Sequence, residues 1–215
     1  LSCSAIGQNT VEPEDPRLAV GANFAPEYAH VKFKISNDDF SYYNDLYEFK
    51  AGYTASIKII KYLNSSFAIE GGVGFSNNGF QSDWSNYQET DQAKAVFTFQ
   101  YLDIPVKLDY FITGKKLRWF VSGGCAVGIL LKDNNKLEIK YADGRYRTIP
   151  DYAPSFSMKG MNFSLRAGIG IEYDLTNQWM IRIEPIYRRS IASVAESMDM
   201  YLYAFGLNCG ISYCF

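Results

Sequence analysis

His30 is the only histidine among the 215 residues, and Ser36, Asp38 and Ser41 lie close behind it. An imidazole that takes a hydroxyl proton while a carboxylate orients it is the working unit of acyl transfer. Nearness in sequence is not geometry, and His30 falls at the top of the first strand or in the first long polar link. A solvated loop histidine is the expected role, and no catalytic residue is assigned. Metal chemistry has less to build on, because there is no second histidine and no paired-cysteine motif among the four cysteines. Asn37-Asp38-Asp39 and Glu89-Thr90-Asp91 would hold a divalent cation only weakly, bridging lipopolysaccharide, and acidic solvated loops account for them. Gly168-Ile169-Gly170 alternates within a strand-like run and opens no helix, which removes a dinucleotide site. No metal or cofactor is implied, and the chain reads as not an enzyme.

The remaining chemistry is charge, and its placement follows a period of two. Eight segments alternate between two faces, approximately 17–26, 47–62, 66–80, 96–111, 117–132, 162–175, 178–190 and 201–215. In 162–175 one face carries Phe163, Leu165, Ala167, Ile169, Ile171, Tyr173 and Leu175. The other carries Asn162, Ser164, Arg166, Gly168, Gly170, Glu172 and Asp174. Leu102, Ile104, Val106 and Leu108 oppose Asp103, Pro105, Lys107 and Asp109 in the same way. Glycine keeps to the charged face, as at Gly72, Gly124, Gly168 and Gly206. Small residues among long charged ones suit a narrow curved interior, and an unbroken apolar face suits lipid; a soluble ligand-binding barrel would reverse both. The expected fold is all-β: a single closed antiparallel up-and-down transmembrane β-barrel of eight strands, spanning 17–215.

An eight-stranded barrel is about filled by its own side chains. Charges inside must therefore pair, since an unpaired one costs of order 3–5 kcal/mol. Glu48, Glu70, Asp103, Asp109, Glu172, Asp174 and Glu184 face Lys50, Lys58, Lys107, Arg118, Arg166, Arg182 and Arg188. A structural network is expected, with Glu70, Asp103, Lys107, Arg118, Arg166, Glu172, Arg182 and Glu184 at its heart, in preference to a proton or ion path.

Connections alternate in length. Asn64-Ser65, 113–116 and Thr176-Asn177 are tight turns, and 27–46, 81–95, 133–161 and 191–200 are long polar links. Aromatics gather toward both ends of the strands as interfacial girdles: Trp119, Trp179, Tyr62, Phe67, Tyr110, Phe111, Tyr173, Tyr213 and Phe215 at the short turns, and Tyr47, Phe49, Phe75, Tyr187, Tyr201 and Tyr203 at the long links. Pro105 and Pro185 are expected to mark bulges, because proline cannot donate to a ladder. The most apolar window, near 119–131, is too short for a spanning helix, which needs roughly 20 residues. Net charge is -2, which gives no basic excess for nucleic acid. Residues 1–16 read as a signal remnant and flexible N-terminus, so export is expected; Cys3 as a lipidated cysteine is the rival reading.

Tyr101-Leu102-Asp103-Ile104-Pro105-Val106-Lys107-Leu108, then Phe120-Val121-Ser122-Gly123-Gly124 and a terminal Tyr213-Cys214-Phe215, resemble the PorT-like outer-membrane β-barrel family of Gram-negative bacteria. Asp109 stands where that family commonly has Lys. The resemblance implies location in the outer membrane and insertion by the barrel-insertion machinery. It also implies an accessory part in protein secretion or envelope assembly, and carries over no catalytic residue. Lys136, Glu138, Lys140 and Tyr141 lead to Asp143-Gly144 and on to Arg145, Tyr146 and Arg147, a hairpin signal in the third long link. Its edges would be open to a partner strand. The functional expectation is a non-conducting barrel that acts as an interaction or accessory protein through its outer loops. Its partners would be outer-membrane lipid, lipopolysaccharide and other outer-membrane proteins. A narrow transport channel and a lipid A-modifying enzyme are the alternatives.

Overall fold

Every alternating segment is a strand in the computed structural model, which describes residues 17–34, 46–88, 91–113, 116–152 and 156–215, with only the backbone of Gln88 and Thr113. The strands are β1 (Leu18–Phe33), β2 (Tyr47–Tyr62), β3 (Phe67–Ser82), β4 (Ser85–Gln88), β5 (Asp91–Thr113), β6 (Leu117–Lys140), β7 (Tyr146–Pro150), β8 (Met161–Asp174), β9 (Trp179–Ser190) and β10 (Met200–Cys214). Eight of them, β1-β2-β3-β5-β6-β8-β9-β10, pair antiparallel in that order, and β10 pairs back onto β1 to close the ring. No helix occurs among the described residues. The processed N-terminus read at 1–16, including Cys3, lies outside them.

The face assignment follows burial. Ile57, Val106, Leu165, Ile169 and Leu207 point outward and are exposed, while Lys58, Lys107, Glu172 and Arg182 are buried inside. Hydrocarbon outside and charge inside is the inverse of a soluble barrel. Short turns are made as their residues suggest. Asn64 Oδ1 accepts the N–H of Ser66 and Phe67 at 2.8 and 2.9 Å, and Thr176 Oγ1 accepts that of Trp179 at 3.0 Å.

Three expectations are corrected. Strands run further toward the long links than polarity indicates: β1 continues to Phe33, and β5 and β6 pair from Thr113↔Trp119 to Gln92↔Lys140. The 133–161 link is therefore strand over 133–140 and again in β7, because alternation persists above the apolar band. Pro105 and Pro185 mark no register shift. The β3–β5 ladder drops its pairs between Gly71↔Val106 and Gly74↔Asp103 and resumes in the same register. The β8–β9 ladder does so between Gly168↔Ile186 and Ile171↔Ile183. Each proline forfeits its missing donor to one neighbour and stays paired to the other, as at Pro105↔Ala126 and Leu207↔Pro185.

Tyr62 and Phe111 are not girdle residues. Both are buried inside, packed with Ile60, Phe120 and Met180 in an apolar cluster at the short-turn end. A second cluster fills the long-link end: Val31, Phe33, Phe80, Phe97, Phe99, Tyr101 and Met200 beneath Phe156, Val194 and Ala195, with Tyr47 against it. The last three come from two links that bridge at Met158↔Ala195. Neither cluster follows from reading the inward face as polar. The outward girdle keeps Trp119, Trp179, Phe67, Tyr110, Tyr173 and Phe215 at one end and Phe49 at the other, all exposed.

Interior glycines make room for the charged chains. A Cβ on Gly124 would meet the Val106 carbonyl and lie 2.6 Å from Lys107 Cα, whereas one on Gly123 would meet nothing within 4 Å. Gly124→Leu should therefore destabilise the barrel by about 1–3 kcal/mol or block its insertion. Gly123→Leu should stay within about 0.5 kcal/mol of the parent. Urea unfolding in lipid vesicles, followed by tryptophan fluorescence, reads both. Equal losses would contradict the inside–outside assignment.

Candidate functional site

Strand pairing brings the inward charges of six strands to one level of the lumen. Arg182 on β9 is the hub. Its Nη1 lies 2.7 Å from Glu70, its Nη2 2.7 Å from Asp109 and its Nε 3.0 Å from Glu172. The guanidinium also stacks over Phe120 at 4.1 Å from the ring centre, which joins the network to the short-turn cluster. Lys107 Nζ bridges Glu70 at 3.2 Å and Glu184 at 2.9 Å, and Lys58 reaches Glu70 at 3.1 Å. Arg118 pairs with Glu172, whose other oxygen accepts the Tyr62 hydroxyl at 2.7 Å. Ser122 and Asn208 complete the shell of Glu184.

A second group sits nearer the long-link end. Asp103 takes Arg166 at 2.8 Å and Arg188 at 3.4 Å, and Arg188 turns its other nitrogen to Glu27 at 3.2 Å. Glu27 also accepts the Thr54 hydroxyl at 2.9 Å. All eight residues read from the sequence as the core of the network thus lie in these two groups. Two wider expectations fail. Glu48 is exposed at the rim, and Lys50 lies in an outer cleft. Lys50 stands within, and Glu48 just beyond, the register shift between Phe49 and Tyr53 that displaces β2 against β3. Glu27, expected in the first long link, lies instead in β1 and belongs to the inward row. Its signal was the alternation of Glu27, Ala29, Val31 and Phe33, which Pro26 obscures.

Six bases, Lys58, Lys107, Arg118, Arg166, Arg182 and Arg188, thus meet seven acids, Glu27, Glu70, Asp103, Asp109, Glu172, Asp174 and Glu184, among the described residues, with Asp174 at 3.8 Å from Arg118. Two cavities adjoin the network, each with room for about one or two waters. Such an arrangement can hold register and rigidity across the lumen.

His30 corrects another expectation. Of the two positions the sequence allows it takes the first strand, β1, where it is buried and not solvated, on the outer surface between Phe49 and Tyr203, with ring centres 4.6 and 5.3 Å away. Its Nε2 lies 2.9 Å from the Tyr47 carbonyl and its Nδ1 2.7 Å from the Val31 amide nitrogen. Both nitrogens are thus engaged by backbone. Ser36, Asp38 and Ser41 fall outside the described residues. Among the described residues no group of His, Cys, Asp and Glu is placed to hold a metal.

The 136–147 hairpin is continuous with the wall. Lys136, Glu138 and Lys140 belong to β6, which pairs with β5 on one side and β7 on the other. Tyr141, Asp143, Gly144 and Arg145 form the turn. Gly144, at φ 85, donates its N–H to the Tyr141 carbonyl at 2.9 Å, and Tyr141 donates to Arg145 at 2.9 Å. The Arg145 backbone N–H holds the Asp143 carboxyl below the usual carboxylate range. Bonded pairs alternate along an antiparallel ladder. Counting from Tyr141–Arg145, the backbone groups of Tyr146 and Thr148 face away from β6. The hairpin therefore offers one open edge, that of β7, where both edges were expected to be available.

Compared with known proteins, the sequence matches the outer membrane protein beta-barrel domain family over residues 7–192, and the chain belongs to that family. No curated protein matches it. Among solved structures it resembles Neisserial surface protein A at 10% identity, covering 92% of this chain and 97% of that one, with a TM-score of 0.52. It also resembles the outer membrane protein AlkL, solved in lipid bilayers, at 16% identity, covering 100% and 97%, with a TM-score of 0.52. These likenesses show the fold alone. The expectation that the chain is not an enzyme is corrected. The outer membrane protease OmpT from Escherichia coli is among the solved structures that align, over 96% of this chain and 99% of its own at 9% identity and a TM-score of 0.41. At that distance no activity, substrate or residue transfers to this chain.

Replacing the hub exposes the network's energetics. Arg182→Met strands Glu70, Asp109 and Glu172 and should cost of order 3–5 kcal/mol in urea unfolding. Arg145→Met, which breaks an exposed 2.6 Å pair with Asp143, should change stability by less than about 1 kcal/mol. Similar effects of the two would mean that the lumen charges are solvated.

Proposed function

We propose that this outer-membrane barrel serves as an interaction or accessory protein, non-conducting through its lumen, that presents a rigid strand ribbon to another component of the envelope. The observation that carries the reading is the ribbon itself. β5 and β6 stay paired for nine residues of β6 beyond Leu131, from Lys132 to Lys140. At ~3.3 Å per residue that is about 30 Å of strand. β4 flanks it on one side and β7 on the other, making a four-stranded sheet above the apolar band.

A membrane anchor alone has no need of such a sheet. The β7 edge combines open backbone groups at Tyr146 and Thr148 with an exposed Tyr146 side chain and an Arg147 that has no ion pair among the described residues. Those features suit an added strand from a partner, with main-chain bonds for affinity and Arg147 for selection. The PorT-like motif at Tyr101–Leu108 supports an accessory role in secretion or envelope assembly. Lumen contents support non-conduction, since a channel would require both apolar clusters and the ionic layer to part.

Two measurements test the reading. In planar bilayers the purified barrel should give no persistent current; stable, solute-dependent conductance would favour a channel. The Arg147→Glu, Thr148→Pro double variant removes the open N–H and reverses the edge charge without touching the β6–β7 ladder. It should insert normally but lose a protein that the parent retains on cross-linking in native membranes. Undiminished capture would refute binding at this edge.

A further inference from the structure

A cleft opens on the outside of the wall where the ribbon rises from the barrel. It is bordered by Lys50, Asn77, Gln81, Thr98, Lys136 and Glu138, with Tyr53 at its lower lip. Its presence follows from the β2 register shift between Phe49 and Tyr53, which turns Lys50 away from the inward row. Lys50 and Lys136 border the same cleft. Lys136 is paired at 2.5 Å with Glu138, while Lys50 is half-buried and has no ion pair among the described residues. The cleft therefore keeps an excess positive charge beside amide and hydroxyl donors.

Depth identifies the source of a matching anion. Tyr53 stacks with Phe24 at 5.8 Å and lies 6.2 Å from Phe75, an outward aromatic row at the upper edge of the apolar band. Ile57, Ile59 and Val73 below it are exposed to hydrocarbon. Lys50 is three residues further up β2, about 10 Å along the strand, which is headgroup depth. A ligand here would have its chains against Ile57 and Val73 and its charge at the lysines. The geometry points to a site for a phosphate of the lipid A headgroup in the outer leaflet, held by Lys50 and Lys136 with Gln81 and Asn77 as neutral donors. Phosphate takes charge-assisted hydrogen bonds from several donors at once, and two ammonium groups held together gain most from it.

Native mass spectrometry of the detergent-solubilised barrel, titrated with bisphosphorylated lipid A, tests the assignment. The parent should retain the lipid, and Lys50→Gln with Lys136→Gln should weaken it by about tenfold. Lys159→Gln, at an exposed lysine of the β7–β8 link, should bind as the parent does. Dephosphorylated lipid A should bind parent and double variant alike. Inorganic phosphate at the same concentration should neither bind nor compete. Retention unchanged in the double variant, equal loss in Lys159→Gln, or phosphate binding as tightly as the lipid would each overturn the proposal. A heat-shifted gel band identical to the parent's confirms that the double variant is folded, and a misfolded one is replaced by Lys50→Gln alone under the same criteria.

Discussion

An ionised side chain inside a narrow ring of strands, with hydrocarbon beyond the wall, has little water to fall back on. Coulomb attraction in that setting repays desolvation only when partners are close and hydrogen-bonded. Arg182 satisfies this with three carboxylates from β3, β5 and β8, and Lys107 with two from β3 and β9. Some of these ion pairs join neighbouring strands, as Lys107–Glu70 and Arg182–Glu172 do, while Arg182–Glu70, Arg182–Asp109 and Lys107–Glu184 reach across the lumen, so the network braces the barrel across its diameter. A slip of one residue in any contributing strand would turn its charges to the lipid. Register, rigidity and charge pairing are therefore one constraint.

The rest of the interior follows from ending that polar layer. Charges cannot continue to the mouths without exposure, and apolar clusters occupy the two ends of the lumen instead. At the short-turn end Phe120 and Phe111 lie under the guanidinium groups of Arg182 and Arg118, so the transition from ionic to apolar passes through cation–π contacts. At the other end two links fold inward to bring Phe156 and Val194 over Phe80, Phe97 and Phe99. The prolines fit the same economy of backbone bonds. Pro26, Pro105 and Pro185 each leave one ladder short and keep its register, a tolerable loss in a wall held by seven other strands.

Above the membrane the wall does not stop on all sides. β5 and β6 carry alternation past the last lipid-facing leucine, and β4 and β7 shield their flanks. The barrel becomes a pedestal for a sheet whose free edge is short, charged and ended by Pro150. Features of that kind restrain indiscriminate strand pairing while leaving room for a chosen partner. Lower on the same side, the β2 shift places the half-buried Lys50 in one cleft with Lys136 at the foot of the ribbon.

Alternation alone determined the eight-stranded ring, its short turns and the sorting of Val106, Ile169 and Leu207 outward from Lys107, Arg166 and Glu172. A strand has only two faces, and hydrocarbon tolerates just one kind of residue on its side. Asp143-Gly144 likewise announced its turn, because few residues but glycine accept the backbone that Gly144 adopts. Which charges meet was decided by tertiary structure: Arg182 and Glu70 are 112 residues apart, and only ring closure makes them neighbours. The same holds for Tyr62, Phe111 and Phe120. An aromatic near a strand end suits the interface and the lumen equally, and periodicity cannot tell them apart once a rim cluster interrupts the polar face. Lys50 left the inward row because of a shift that only pairing with β3 reveals. Local chemistry writes the period of a strand; the partner across the ladder settles where that period lands.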